Sequence, residues 1–221
     1  MIPIQRPSPN QDVRSLPVSI IVLHYTGMPT AAAALDALTS PAAKVSSHWV
    51  VAEDGQAVQL VDETARAWHA GKSWWRGIAD VNSASIGIEI VNPGHEFGYC
   101  PFPDEQMAAV EQLVAAAIAR WGVDPSNVVG HSDIAPARKQ DPGELFDWPR
   151  LARAGLATPI PVGGADPNWT DAGTLASMQR YGYDIAEPLA AVIAFQRRWR
   201  PANIDGVIDA ETRTILRGLL V

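Results

Sequence analysis

Two of the five histidines stand where apolar runs end. His24 closes Ser19-Ile-Ile-Val-Leu-His24, and His131 follows Val128-Val129-Gly130. Asp141 lies ten positions further on (141 minus 131). Two imidazoles and a carboxylate, if brought together, leave one position of a tetrahedral zinc for water, the pattern of a catalytic rather than a structural site. Spacing alone suggests this without establishing it, because a histidine at a strand end is more often held by ordinary hydrogen bonds. The single cysteine, Cys100, rules out an internal disulfide framework and every cysteine-based zinc pattern. Any metal must therefore be held by histidine and carboxylate.

These side chains need rigid carriers. The β-branched run 19–24 reads as a buried strand whose last residue emerges at the sheet end. Ser47-His-Trp-Val-Val51 and Ala57-Val-Gln-Leu-Val61 flank Asp54-Gly55, a pair that tolerates the positive φ of a tight turn, so a hairpin is expected. Ser85-Ile-Gly-Ile-Glu-Ile-Val91 alternates, which puts Ile86, Ile88 and Ile90 on one face and turns Glu89 away from them. Met107, Val110, Val114, Ala117, Ile118 and Trp121 recur at helical spacing, with Pro103 before them and Gly122 after, predicting a helix over about 104–121. Val128-Val129 reads as a short strand. Residues 133–148 are too rich in proline, glycine and charge for regular structure and read as a positioning loop.

Three segments together resemble the type 2 amidase and peptidoglycan-recognition superfamily: Val22-Leu-His-Tyr-Thr-Gly27; Ala67-Trp-His-Ala-Gly71 with Ser85-Ile-Gly-Ile-Glu89; and Gly130-His-Ser-Asp-Ile-Ala-Pro-Ala-Arg-Lys-Gln-Asp-Pro-Gly143. The likeness covers about residues 15 to 155. It implies one zinc ion on His24, His131 and Asp141, a catalytic Glu89, and Lys139 beside the oxyanion. The implied reaction is hydrolysis of the amide between N-acetylmuramic acid, in its ordinary or anhydro form, and the L-alanine of the stem peptide. Water acidified by zinc supplies the nucleophile such an amide needs. Tyr25, Trp68, His69 and Ala70 fall in segments like the wall of the family's substrate groove and are expected to touch substrate. His48 and His95 match no ligand position and are assigned no chemistry. Trp74-Trp75-Arg76 fits either groove rim or core. In the family a basic residue commonly stands nine positions before the glutamate, where this chain has Asp80; the resemblance leaves Arg76 or Arg66 to clamp the stem carboxylate, or else a different stem preference.

The implied fold is α/β, a central mixed sheet flanked by helices, over residues 1–158. Residues 159–167, with prolines and glycines and no periodicity, read as a linker. Leu189, Val192, Ile193 and Trp199 then share a helical face, as do Ile215, Leu216, Leu219 and Leu220, with Asp209 placed to cap the last helix. This small all-α region, 168–221, resembles the three-helix peptidoglycan-binding domain through Leu175-Ala-Ser-Met-Gln-Arg-Tyr-Gly182, Val192-Ile-Ala-Phe-Gln-Arg-Arg-Trp199 and Asp205-Gly-Val-Ile-Asp-Ala-Glu-Thr212. A helical cap that stabilises the enzyme domain fits the same residues.

A net charge of −7 at 19% charged residues argues against a nucleic-acid surface. Peptidoglycan fragments, or muropeptides, are the expected partners. Residues 1–10 have one basic residue and three prolines where an export signal needs a basic flank and an apolar run, and no stretch approaches the roughly 20 apolar residues that span a bilayer. A cytoplasmic enzyme of peptidoglycan recycling is therefore expected, without membrane insertion; the alternative is an envelope or periplasmic one.

Overall fold

The computed structural model describes residues 3–221. Strands β1 (Ile4–Gln5), β5 (Ala57–Gln59), β4 (Trp49–Val51), β7 (Ser85–Ile90), β3 (Ile20–Tyr25) and β8 (Val128–Gly130) form a six-stranded mixed sheet in that spatial order. β2 (Gln11–Val13) pairs antiparallel with β6 (Ala65–Ala67) in a separate ribbon. β4 and β5 are antiparallel, the expected hairpin. β4, β7, β3 and β8 run parallel, so their carboxyl ends share one edge of the sheet. In open α/β sheets that edge is where sites assemble, because the loops leaving it converge.

Strand parity assigns the two faces. Ile21 and Leu23 of β3, with Ile86, Ile88 and Ile90 of β7, pack under the helix α4 (Asp104–Trp121) against Met107, Val110, Val114 and Ala117. α4 spans the residues its periodicity predicts. Asp104 and Glu105 sit in its first turn, where the exposed N–H groups favour negative charge, and Gly122 ends it at φ 69°, with its N–H on the Ile118 carbonyl. On the opposite face, Ile20, Val22 and His24 lie beside Ser85, Gly87 and Glu89, and the register pairs His24 with Glu89. Glu89 thus points away from the isoleucine layer, onto the same face as His24. The short helices α1 (Ala31–Thr39), α2 (Val81–Ala84), α3 (Gly94–Phe97), α5 (His131–Ile134) and α6 (Trp148–Arg153) occur in the connections.

The C-terminal helices α7 (Asp171–Tyr181), α8 (Pro188–Trp199) and α9 (Ala210–Leu219) cover that second face. Met178, Tyr183, Val192, Phe195, Trp199 and Leu216 form one continuous apolar cluster with Ile20, Val22, Trp75, Val129 and Ile134. As expected, Asp209 caps α9 by accepting the Thr212 N–H at 2.8 Å. The expected apolar face of α8 is displaced. Leu189 is 63% exposed, while Ala191, Val192, Ala194, Phe195 and Trp199 are buried. A helix enclosed on several sides needs no single apolar stripe, so its periodicity under-reports what it buries. Residues 159–167 carry no regular structure but are tied to α9, with Arg213 on Asp166 at 2.5 Å and Arg217 on the Ala165 carbonyl at 3.1 Å. Trp75 is core rather than groove rim, 1% exposed and edge-on to Tyr181 and Tyr183.

Candidate active site

At the carboxyl edge of the sheet the end of β3 delivers His24, and the turn after β8 delivers His131. The loop that follows folds back to bring Asp141 between them. His24 Nδ1 and His131 Nδ1 are 2.9 Å apart, and Asp141 Oδ2 lies 3.0 Å from the first and 2.9 Å from the second. All three residues are buried. The return of the loop is held by backbone, since the Ser132 N–H donates to the Asp141 carbonyl at 2.9 Å.

The partners on the far side of each ring establish which nitrogens carry hydrogen. His131 Nε2 faces the Ala70 carbonyl at 3.2 Å, which can only accept, so Nε2 is protonated and Nδ1 offers a lone pair. For His24 the argument passes through three links. The Ser85 hydroxyl donates to the Val81 carbonyl at 2.5 Å, so its oxygen accepts from His69 Nε2 at 3.1 Å. His69 Nδ1 is then a lone pair, and it accepts from His24 Nε2 at 3.0 Å. His24 Nδ1 therefore also presents a lone pair. Two imidazole lone pairs and a carboxylate oxygen facing one another at about 3 Å are repulsive unless a cation is shared among them, and the donor set fits a divalent ion.

Burial sets the electrostatics. Desolvation, helped by His131 nearby, pushes the His24 imidazolium down to about 4, so the ring is neutral and free to ligate. Glu89 goes the other way: burial first, then the Asp141 charge, raise its carboxyl well above the ordinary value, with Lys139 opposing. Glu89 Oε2 is shut off from solvent and has no hydrogen-bond partner among the described residues, the condition of a group waiting for a proton from something bound in the cavity.

That cavity, of about 390 Å³, is lined by Tyr25, Trp68, His69, Glu89, His131, Lys139 and Asp141 among the expected residues. Ala70 is not in its wall. It is fully buried, its N–H donates to Asn82 Oδ1 at 2.7 Å and its carbonyl orients His131, so the expectation that it touches substrate is corrected to one of holding a ligand. His69 reaches the cavity, yet both its ring nitrogens are spent on His24 and Ser85. Gly87 makes room for that ring: a Cβ there would stand 2.5 Å from His69 Cγ. Gly87→Ala is therefore expected to push His69 off His24 and to weaken metal binding by roughly 10- to 100-fold, the usual effect of losing a group that orients a ligand, read by competition with a chromophoric chelator. Metal affinity equal to the parent protein would show that His69 does not orient His24.

Several residues without a sequence signal also belong here. His95, assigned no chemistry from spacing, lines the cavity. Its Nε2 faces Glu144 at 3.2 Å, and its Nδ1 accepts from the Tyr25 hydroxyl at 2.9 Å. Arg138 lines the cavity beside Lys139 and donates to the Ala70 and Lys72 carbonyls at 2.7 and 2.6 Å. Neither Arg66 nor Arg76 reaches the site. Arg66 is spent on Asp80 and Asp12, at 3.0 Å each, while Arg76 lies against Tyr181 and donates to its carbonyl at 2.9 Å. Asp80 itself caps α2 and accepts from Arg66, a structural duty that accounts for an acid at that position. His48 is buried behind the site, where its Nδ1 accepts the Gly87 N–H at 2.9 Å.

Comparison with known proteins gives the family. A family model described as N-acetylmuramoyl-L-alanine amidase matches residues 14–144. The chain is 37% identical over 230 residues to the N-acetylmuramoyl-L-alanine amidase AmiD of Escherichia coli, covering 92% of this chain and 82% of the relative. It is 32% identical over 163 residues to the 1,6-anhydro-N-acetylmuramyl-L-alanine amidase AmpD of Haemophilus influenzae, covering 65% and 86%. Its fold matches the solved complex of E. coli AmiD with anhydro-N-acetylmuramic acid-L-Ala-D-gamma-Glu-L-Lys at a TM-score of 0.84 and 34% identity, over 96% of this chain and 90% of that one. With a family model matching more than half of the chain and relatives matched over most of its length, the chain belongs to the N-acetylmuramoyl-L-alanine amidase family.

Proposed function

We propose that this protein hydrolyses the amide between the lactyl group of anhydro-N-acetylmuramic acid and the L-alanine of its stem peptide, using one zinc ion held by His24, His131 and Asp141. The observation that carries the reading is the convergence of two imidazole lone pairs and a carboxylate at about 3 Å, beside a half-buried glutamate whose enclosed Oε2 has no partner among the described residues, in a cavity open to ligand. A zinc ion there supplies a Lewis acid that brings the pKa of water toward roughly 7 and polarises a carbonyl. Glu89 takes the proton of the attacking water and returns it to the departing amine of L-alanine, both roles being suited to a carboxyl whose pKa is raised. Lys139 lines the same cavity and presents positive charge to the oxygen on which the amide charge develops. Trp68 and Tyr25 offer aromatic faces in the wall. Arg66 and Arg76 lie outside the cavity wall, whereas Arg138 lines it, its guanidinium fixed on the Ala70 and Lys72 carbonyls, and is the arginine placed to meet a stem carboxylate.

Support for an anhydro-muropeptide comes from the relatives, whose names specify an anhydro-muramyl amidase and a complex with an anhydro-muramyl tripeptide. A recognition protein that holds muropeptide without cutting it needs no complete ligand set, and the convergence of His24, His131 and Asp141 supports the hydrolytic reading over it. An endopeptidase within the stem would use the same metal in a different register. Mass analysis of products from a defined anhydro-muropeptide separates the three. Free anhydro-muramic sugar and an intact stem peptide are expected; unchanged substrate, or cleavage inside the stem, overturns the reading. Among the described residues no helix is long and apolar enough to cross a membrane.

A further inference from the structure

The C-terminal helices do more than cover the sheet. Asp133, two residues after His131, is 1% exposed, and every bond to its carboxylate either fixes the start of the His131 turn or comes from the C-terminal region. Its Oδ2 accepts the Gly130 N–H at 2.8 Å, which closes the turn from which His131 projects. The same oxygen accepts from Arg198 of α8 at 2.9 Å, and Oδ1 accepts from the Tyr183 hydroxyl at 2.6 Å. Arg198 also donates to the Val128 carbonyl at 3.0 Å, on edge strand β8, and its guanidinium lies 3.7 Å from the centre of the Trp148 ring. Trp199 donates to the Tyr183 hydroxyl at 3.1 Å, so the group that holds Asp133 is itself held. The neighbouring Arg197 reaches the far end of the loop, with Nε 3.5 Å from Glu144. One helix therefore holds the start of the segment 131–144, which carries His131, Lys139 and Asp141, through Arg198, and lies along its far end through Arg197.

A buried carboxylate is costly unless its lone pairs are filled, and here two of the three donors come from outside the amidase region that the family model covers. β8 is an edge strand of three residues paired, among the described residues, only with β3, so it has little stiffness of its own with which to aim a ligand. We propose that the C-terminal helices form a positioning part of the metal centre, in which Arg198 and Tyr183 hold Asp133 and Asp133 holds the turn that directs His131 at the metal. This rests on the reading of His24, His131 and Asp141 as zinc ligands.

The test uses the full chain. Tyr183→Phe removes one hydroxyl, and the double variant Asp133→Asn with Arg198→Met removes both charges of the pair, which avoids leaving one of them buried alone. Metal-free samples are checked for parental circular dichroism. Zinc affinity is then measured by competition with a chromophoric chelator, and the visible spectrum is recorded with cobalt(II) in place of zinc. A fold preserved without metal, zinc affinity lowered on the order of 10-fold, an altered cobalt spectrum, and kcat reduced with KM little changed are expected. Parental zinc affinity and an unaltered cobalt spectrum in both variants overturn the proposal and leave the metal reading intact, whereas a parent protein that retains no zinc overturns both. Should the double variant fail to fold, Tyr183→Phe, which keeps the ring in place, decides.

Discussion

Replacement of His131 or Asp141 by alanine is expected to remove zinc and activity together. Each supplies one of three buried donor atoms about 3 Å apart, and no other His, Cys, Asp or Glu among the described residues joins that cluster to take over. A site reduced to two ligands holds zinc poorly, because the fixed geometry that offsets dehydration of the ion is lost. Without the metal, water stays near its bulk pKa of about 15.7 rather than roughly 7, so a fall of more than about 10³-fold in turnover is expected, down to the assay background. Metal analysis of the purified protein should give about one zinc per parent chain and a small fraction of that in either variant. Extended dialysis against a strong chelator should reproduce the loss, and added zinc should reverse it. Full turnover after such dialysis would sink the zinc mechanism.

Glu89→Ala has the opposite signature in metal content: zinc retained, rate lost. The glutamate is in register with His24 on the neighbouring strand but is not one of the three converging donors. Its buried Oε2 makes no hydrogen bond that the fold would miss, so its removal leaves the sheet and the ligands in place. What disappears is a base already positioned, whose contribution is on the order of 10² to 10⁴ in rate, or about 3 to 5.5 kcal/mol of barrier at about 1.4 kcal/mol per decade. Glu89→Gln, which keeps the shape and removes the base, should fall in the same range. Parental kcat in either variant, with zinc content unchanged, would make Glu89 a structural residue.

The two substitutions differ in how early their roles are readable. For Glu89 alternation makes the facing legible and only the family resemblance implies the role: the period-2 pattern of Ser85 to Val91 puts it opposite the isoleucines, and the parallel pairing of β7 with β3, with α4 on the other face, turns that parity into a position beside His24. The bounds of α4, the β4–β5 hairpin and the Asp209 cap were legible for the same kind of reason, since each depends on neighbours a few residues apart. The ligand types were legible too, as histidine and carboxylate are the only donors this chain offers in quantity.

What tertiary structure alone decided is everything that depends on residues far apart in the chain. His24 and His131 are separated by 107 positions, and they meet only because β3 pairs with β8 as well as with β7. His69 has its rings' worth of hydrogen bonds filled by His24 and Ser85, an assignment that needs Gly87 beneath it and that local pattern does not express. Arg66 and Arg76 look as available as Arg138 in one dimension, yet Asp80, Asp12 and Tyr181 claim the first two. The C-terminal helices follow the same rule. Their periodicity announces helices, but which side of α8 is buried, and that Arg198 reaches Asp133, comes from packing against a sheet face left apolar by Ile20, Val22 and Val129. Burial of an apolar face is non-directional and specifies only that a cover is needed; the polar groups that cover brings with it are specific, and they are known only once the two surfaces are docked.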